Sequence, residues 1–170
     1  MEEIVDIVDE NDRFVRKATR DEMMEKGLLH RAARVIVVNG KGEYLVHKRA
    51  AAKKIYPGRW DIGIAETLVS GEGYEAAAIR GLAEELGIHG VSNMELKSSL
   101  LFKLRYASEI NNAWLKVYEI TYDGAITPQA DEIEAVQFLP LNGVIELSKG
   151  DNFSPSGKFV LDNYLEVGPY

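Results

Sequence analysis

Gly71-Glu72-Gly73-Tyr74-Glu75-Ala76-Ala77-Ala78-Ile79-Arg80-Gly81-Leu82-Ala83-Glu84-Glu85-Leu86-Gly87-Ile88 is the stretch on which the reading of this chain turns. Residues 73–86 read as a helix, with Gly87 in the C′ position, where a left-handed backbone costs glycine little. At ~100° per residue, Ile79, Leu82, Ala83 and Leu86 gather on one side, which should face a sheet. Positions 81, 84 and 85 fall roughly opposite, so Glu84 and Glu85 are expected side by side, next to the empty position at Gly81. Glu75 falls near the apolar side, where the first turn of a helix tolerates an acid. Two adjacent carboxylates on an exposed helix face ordinarily signify no more than solvation. Here a glycine-bearing loop precedes the helix and a basic loop precedes that, which opens a second reading. Hard cations take carboxylate and phosphate oxygens, and such a cation neutralises phosphate and activates water.

Upstream, residues 61–72 read as a structured loop with short extended pieces, and residues 50–59, with the Pro57-Gly58 turn, as a basic loop. Residues 32–38 and 44–48 are β-rich runs joined by Asn39-Gly40-Lys41-Gly42, a hairpin signal. Thr19 followed by Glu22 marks a short helix over residues 20–26, stopped by Gly27. Before it, residues 3–8 and Phe14-Val15 flank the Asp9-Glu10-Asn11-Asp12 turn as a further hairpin. Downstream, residues 98–106, 113–122 and 133–139 are strand candidates, and 142–148 and 158–165 helix candidates. No repeat, low-complexity tract or flexible linker interrupts this pattern. Residues 1–170 are therefore expected to form one α/β domain, a mixed sheet flanked by helices.

A chain of 170 residues with 46% hydrophobic and 28% charged side chains has the composition of an ordinary globular domain. No window approaches ~20 uninterrupted apolar residues, and Met1-Glu2-Glu3 lacks the basic start of a secretory leader, so no membrane association is expected. Cysteine is absent, which excludes disulfides and thiolate sites and leaves the cytoplasm as the expected compartment. The net charge of −7 argues against a specific nucleic-acid partner. It leaves room for a phosphorylated small molecule received by a local cationic cluster.

The helix and its flanks resemble the Nudix box, whose pattern is Gly, five residues, Glu, seven residues, then Arg-Glu-aliphatic-any-Glu-Glu-any-Gly-aliphatic. Glu72, Arg80, Leu82, Glu84, Glu85, Gly87 and Ile88 fall in register without a gap. Residues 5–10, 29–32 and 48–61 further resemble the branch related to isopentenyl-diphosphate isomerase. The resemblance implies a Nudix-type α/β/α sandwich with a mixed sheet. It also implies pyrophosphohydrolase chemistry dependent on Mg²⁺ or Mn²⁺, and it allows a homodimer, although no stretch of this chain marks an interface.

Two positions depart from the pattern. Glu66 stands where the box has its first glycine, and Gly81 where it has the glutamate following the arginine. In the family that glutamate joins the later two in holding the metal, so the resemblance assigns metal ligation to Glu84 and Glu85. Glu66 either replaces the missing ligand in space or repels phosphate. Arg80 is expected to brace the box carboxylates, Glu72 among them. Glu132 matches a region from which relatives supply another carboxylate, as ligand or base. Isomerase chemistry is excluded: the cysteine and histidine of that branch fall at Ala65 and Thr67, and its proton-handling glutamate near Asn112.

Lys48, Arg49, Lys53, Lys54 and Arg59 form the one concentrated cationic stretch. Arg49 is the first candidate for binding diphosphate, because its planar donors match phosphate oxygens, with Lys53 and Arg59 beside it. His30, His47 and His89 share no metal-ligand spacing and are expected to be structural or solvent-facing. Two functions fit these residues. One is metal-dependent hydrolysis of a diphosphate linkage in a nucleoside-diphosphate-like molecule; the other is a catalytically weakened relative that binds a phosphorylated ligand.

Overall fold

The computed structural model describes residues 2–168. Met1 of the leader reading, and Pro169 and Tyr170 of the expected domain, lie outside them. In chain order the elements are β1 (Ile4–Val8), β2 (Phe14–Thr19), α1 (Arg20–Glu25), β3 (His30–Val38), β4 (Glu43–Arg49), β5 (Trp60–Ile62) and β6 (Ile64–Thr67). There follow α2 (Tyr74–Leu86), α3 (Asn93–Ser98), β7 (Leu100–Ala107), β8 (Asn112–Thr121), β9 (Ile133–Pro140), α4 (Leu141–Ser148) and α5 (Pro155–Val167).

The main sheet is mixed. β3 runs parallel to β8, from His30↔Ala113 to Val38↔Thr121, while the other pairings are antiparallel. Side chains alternate across it as the pleat requires. Val35 and Val37 enter a core with Ala77, Leu82 and Leu86 of α2, whereas Ile36 joins Val46 and Ile62 against Val144, Val160 and Leu161 of α4 and α5. Helices thus cover both faces, as the α/β/α expectation held. A smaller cluster of Val5, Ile7, Ala18 and Met23 joins the β1–β2 hairpin to α1. Among the described residues no helix is long and apolar enough to cross a membrane.

The hairpin at Asn39 forms as expected, with Asn39 Oδ1 accepting from Lys41 N and Glu43 N at 3.0 and 2.9 Å. Its two strands stay paired only at Val38↔Tyr44 and then fork. β6 takes the β3 edge and β5 takes β4, so the segment expected to be mostly loop supplies two short strands. Gly63 sits at the crossing with φ +62°, and a Cβ there would lie 2.0 Å from Val35 O, so no other residue fits. This fork lays β6, with Glu66, beneath α2. α2 itself matches its expected limits, and Gly87 closes it at φ +67° with N–H donated to Ala83 O. The sequence reading missed α3, whose cap is Ser92 Oγ accepting from Glu95 N at 3.2 Å.

A candidate active site beside α2

Arg80 organises the carboxylates of α2 and the loop before it. Its Nε and Nη2 donate to the two oxygens of Glu72 at 3.0 and 2.8 Å, and Nη2 also donates to Thr67 O at 3.0 Å. Its Nη1 lies 3.1 Å from Glu66 Oε1 and 3.6 Å from Glu84 Oε2. The expected brace from Arg80 to Glu72 is therefore present. Burial is the largest influence on the Glu72 carboxyl and raises it, but the bond from Arg80, the N–H of Val69 and the Arg80 charge together outweigh burial and hold the group below the usual range.

The expectation that Glu84 and Glu85 share an exposed face is corrected. Glu84 has 57% of its side chain exposed, whereas Glu85 is 9% exposed and faces inward. The helical wheel failed because α2 has interior on two sides. It packs on the sheet through Leu82 and Leu86, and its Gly81 edge packs against Glu66 and Ile64 of β6. Glu85 lines a cavity of about 100 Å³ together with Arg20, Arg49 and Lys53. A shallower recess of about 310 Å³ shares those three cations and adds Lys54 and Glu132.

Burial, reinforced by the charges of Glu66 and Glu132, pushes the Glu85 carboxyl up to about 8; Lys53 and Arg49 oppose the rise. Among the described residues, no hydrogen bond or ion pair reaches the Glu85 carboxylate. Glu66, also buried, is raised by desolvation against the pull of Arg80. Glu132 is bonded to Lys53 Nζ across the mouth of the site. Arg49 donates Nε to Ile55 O at 3.0 Å; neither of its Nη atoms has a hydrogen-bond partner among the described residues. These are paired donors of the kind that grips phosphate.

Arg59 does not join them. β5 is bridged to the segment before α5 at Trp60↔Phe153, and this draws Arg59 Nη1 to 3.4 Å from Phe153 O, away from both recesses. Lys48 pairs with Glu134 at 2.9 Å, also outside them. Arg20 was missed by the sequence reading. It starts α1, pairs with Glu3 at 2.7 Å and reaches the cavity only through tertiary packing, so no local signal marked it. His30 and His47 are buried, their Nδ1 atoms 3.0 and 2.7 Å from Leu28 O and Gly63 O, consistent with structural roles; His89 is exposed.

Ala65, Thr67 and Asn112 all line the same cavity. The positions that carry isomerase chemistry in the resembling branch are thus in place, but without a thiol, an imidazole or a carboxylate. None of these three side chains can give or take the proton that a double-bond shift requires. Among the described residues, no three His, Asp or Glu side chains stand close enough to hold a metal unaided. The chemical capacity of the site is a buried, unpaired carboxylate facing three cations across a small space, with further carboxylates on its rim.

Fold and box together define a Nudix-type α/β/α protein. The family model described as NUDIX domain matches residues 28–160, and the chain belongs to that family. It is 39% identical over 140 residues to an uncharacterized Nudix hydrolase of Streptomyces coelicolor, covering 82% of this chain and 75% of that one. A match to isopentenyl-diphosphate Delta-isomerase 2 of Photorhabdus laumondii, 40% identical, spans only 87 residues, 51% of this chain and 49% of the relative. The shared ancestry with that branch is real, and the chain is of the hydrolase rather than the isomerase type. Among solved structures, DR0079 of Deinococcus radiodurans superposes with a TM-score of 0.75 at 20% identity, over 95% of this chain and 98% of that one. A bifunctional NMN adenylyltransferase/ADP ribose pyrophosphatase of Francisella tularensis, complexed with AMP and Mn ion, gives 0.62 at 16% identity, over 81% of this chain and 41% of that one.

Proposed function

We propose that this protein hydrolyses the diphosphate linkage of a nucleoside-diphosphate-like small molecule, using Mg²⁺ or Mn²⁺. Glu85 carries the reading. A buried carboxylate without a partner is costly, and the cost is removed when a cation arrives with the phosphate it accompanies. The donors in reach are carboxylates, which suit a hard cation better than a soft one. Mg²⁺ keeps several of its waters and binds through one or two carboxylates plus phosphate oxygens, so a complete protein cage is not required. Glu85 would hold it, with the exposed Glu84 next to it on α2 as a second donor. When bound, such an ion neutralises the phosphates and acidifies an attacking water.

The remaining work falls to side chains of this chain. Arg49 offers its two Nη atoms to the diphosphate, and Arg20 and Lys53 add charge from the adjoining walls. Lys53 exchanges Glu132 for phosphate, which frees that carboxylate to accept a proton from water or to join the metal. Arg80 keeps Glu72 fixed and neutralised behind the site and touches one oxygen of Glu66. The AMP and Mn ion in the Francisella tularensis complex support a ligand of this class.

The test is product release from nucleoside diphosphates joined to sugars, alcohols or a second nucleoside, with millimolar Mg²⁺. Turnover of at least one class, abolished by chelator, is expected. Tight binding of such compounds without product would favour the ligand-binding reading instead.

A further inference from the structure

The two departures from the box face each other. A Cβ built at Gly81 would lie 3.0 Å from Glu66 Cβ and 3.0 Å from Ile64 Cδ1, with Glu66 Cγ at 3.3 Å. Position 81 of α2 and position 66 of β6 therefore draw on one volume. Glu66 fills it from the strand side. Its side chain is buried, and it ends with Oε1 3.1 Å from Arg80 Nη1, the nitrogen that also reaches toward Glu84. A glutamate at 81 would enter the same space from the helix, and a glycine at 66 would leave that space open to it.

We propose that Glu66 and Gly81 form one reciprocal exchange. The carboxylate that the box carries after its arginine is delivered here from β6 by Glu66, which acts with Glu85 as a ligand for the divalent cation. Gly81 is the vacancy that admits it. The inference rests on the metal-dependent reading above and adds which side chain completes it. It also reverses a simple expectation: Gly81→Glu alone does not repair the box. Two glutamates would compete for a volume that holds one, adding a charge beside an Arg80 that already faces Glu66, Glu72 and Glu84, and overpacking of this kind is destabilising.

Mn²⁺ binding, followed by electron paramagnetic resonance of the free ion and by calorimetry, tests the exchange without reference to turnover. Glu66→Gln keeps the packing and removes the charge, and should weaken Mn²⁺ by at least about tenfold. Glu66→Gly should do the same. Adding Gly81→Glu to Glu66→Gly should return the affinity to within about threefold of the parent, a coupling between positions that independent sites do not show. Gly81→Glu alone should weaken binding. A merely structural Glu66 would respond to the first substitutions but would not be rescued from the helix. Failure of the double variant to recover affinity, or to fold, overturns the exchange, as does parent-like binding by Glu66→Gln. No Mn²⁺ binding by the parent protein, either alone or with inorganic pyrophosphate present, would overturn the metal-dependent function as well; binding by the parent without rescue would overturn the exchange alone.

Discussion

Glu85→Gln should make the metal-free protein more stable while removing its capacity to bind a cation. The Glu85 carboxyl is raised from an ordinary 4.5 to about 8, chiefly by burial and then by the charge of Glu66. A group raised on folding contributes its full stability below the unfolded value and loses it as pH climbs through the folded value. At pH 7 the unfolded carboxyl has ionised and the folded one still holds its proton. The interval from 4.5 to 7, at about 1.4 kcal/mol per unit, sets a penalty of about 3 kcal/mol. Glutamine keeps the shape and never ionises, so it escapes this penalty. Urea unfolding in EDTA at pH 5, 6, 7 and 8 should show the variant's advantage small at pH 5 and growing with pH. An advantage independent of pH, or a variant less stable than the parent at pH 7, would refute the claim that Glu85 is buried without a partner.

Gly81→Ala should gain about 1 kcal/mol of helix propensity only where residue 66 leaves room. In the Glu66→Gly background only the movable Cδ1 end of Ile64 stays within 3.0 Å, so the change should stabilise α2, and beside Glu66 the added contact at 3.0 Å should cancel that gain; equal effects on thermal unfolding in both backgrounds would contradict this. His47 is held neutral, lowered to about 4 by burial, so stability present above about pH 6.5 should fall as pH drops toward 4. His47→Gln should flatten that limb of a pH-dependent unfolding curve, whose depth is at most about 3 kcal/mol. Arg49→Ala should raise KM for the diphosphate substrate by at least about tenfold. Arg59→Ala, which removes a side chain directed at Phe153 O, should leave KM near the parent value, and equal losses would show that the cavity has been misplaced.

The helix of the box was legible because its apolar spacing and Gly87 are local signals, and the strands of the sheet because their alternation is local too. What failed depended on neighbours far along the chain. A helical wheel assigns one buried side, but the fork at Gly63 lays β6 along a second side of α2, which turns Glu85 inward and leaves Glu84 outside. Residues 61–72 read as a structured loop with short extended pieces, and two strands were not legible there because each is short and a glycine divides them. α3 could have been found: Ser92 with Glu95 repeats the cap signature of Thr19 with Glu22. Arg49 at the end of β4 and Lys53 of the basic loop face the site, whereas Arg59, only two residues before a β5 side chain buried in the sheet, is bound to Phe153 O. Arg20 had no readable signal, since its place depends on how the β1–β2 hairpin and α1 pack beside β3.

The most direct test of the central claim follows the fate of water. Hydrolysis of a nucleoside-diphosphate substrate in ¹⁸O water with Mg²⁺, read by mass spectrometry, should place one ¹⁸O on one of the two phosphate products. The label should vanish with chelator and in Glu85→Gln. Unlabelled products, or labelling that survives the loss of Glu85, would contradict the assignment of this cavity as the place where the diphosphate is cleaved.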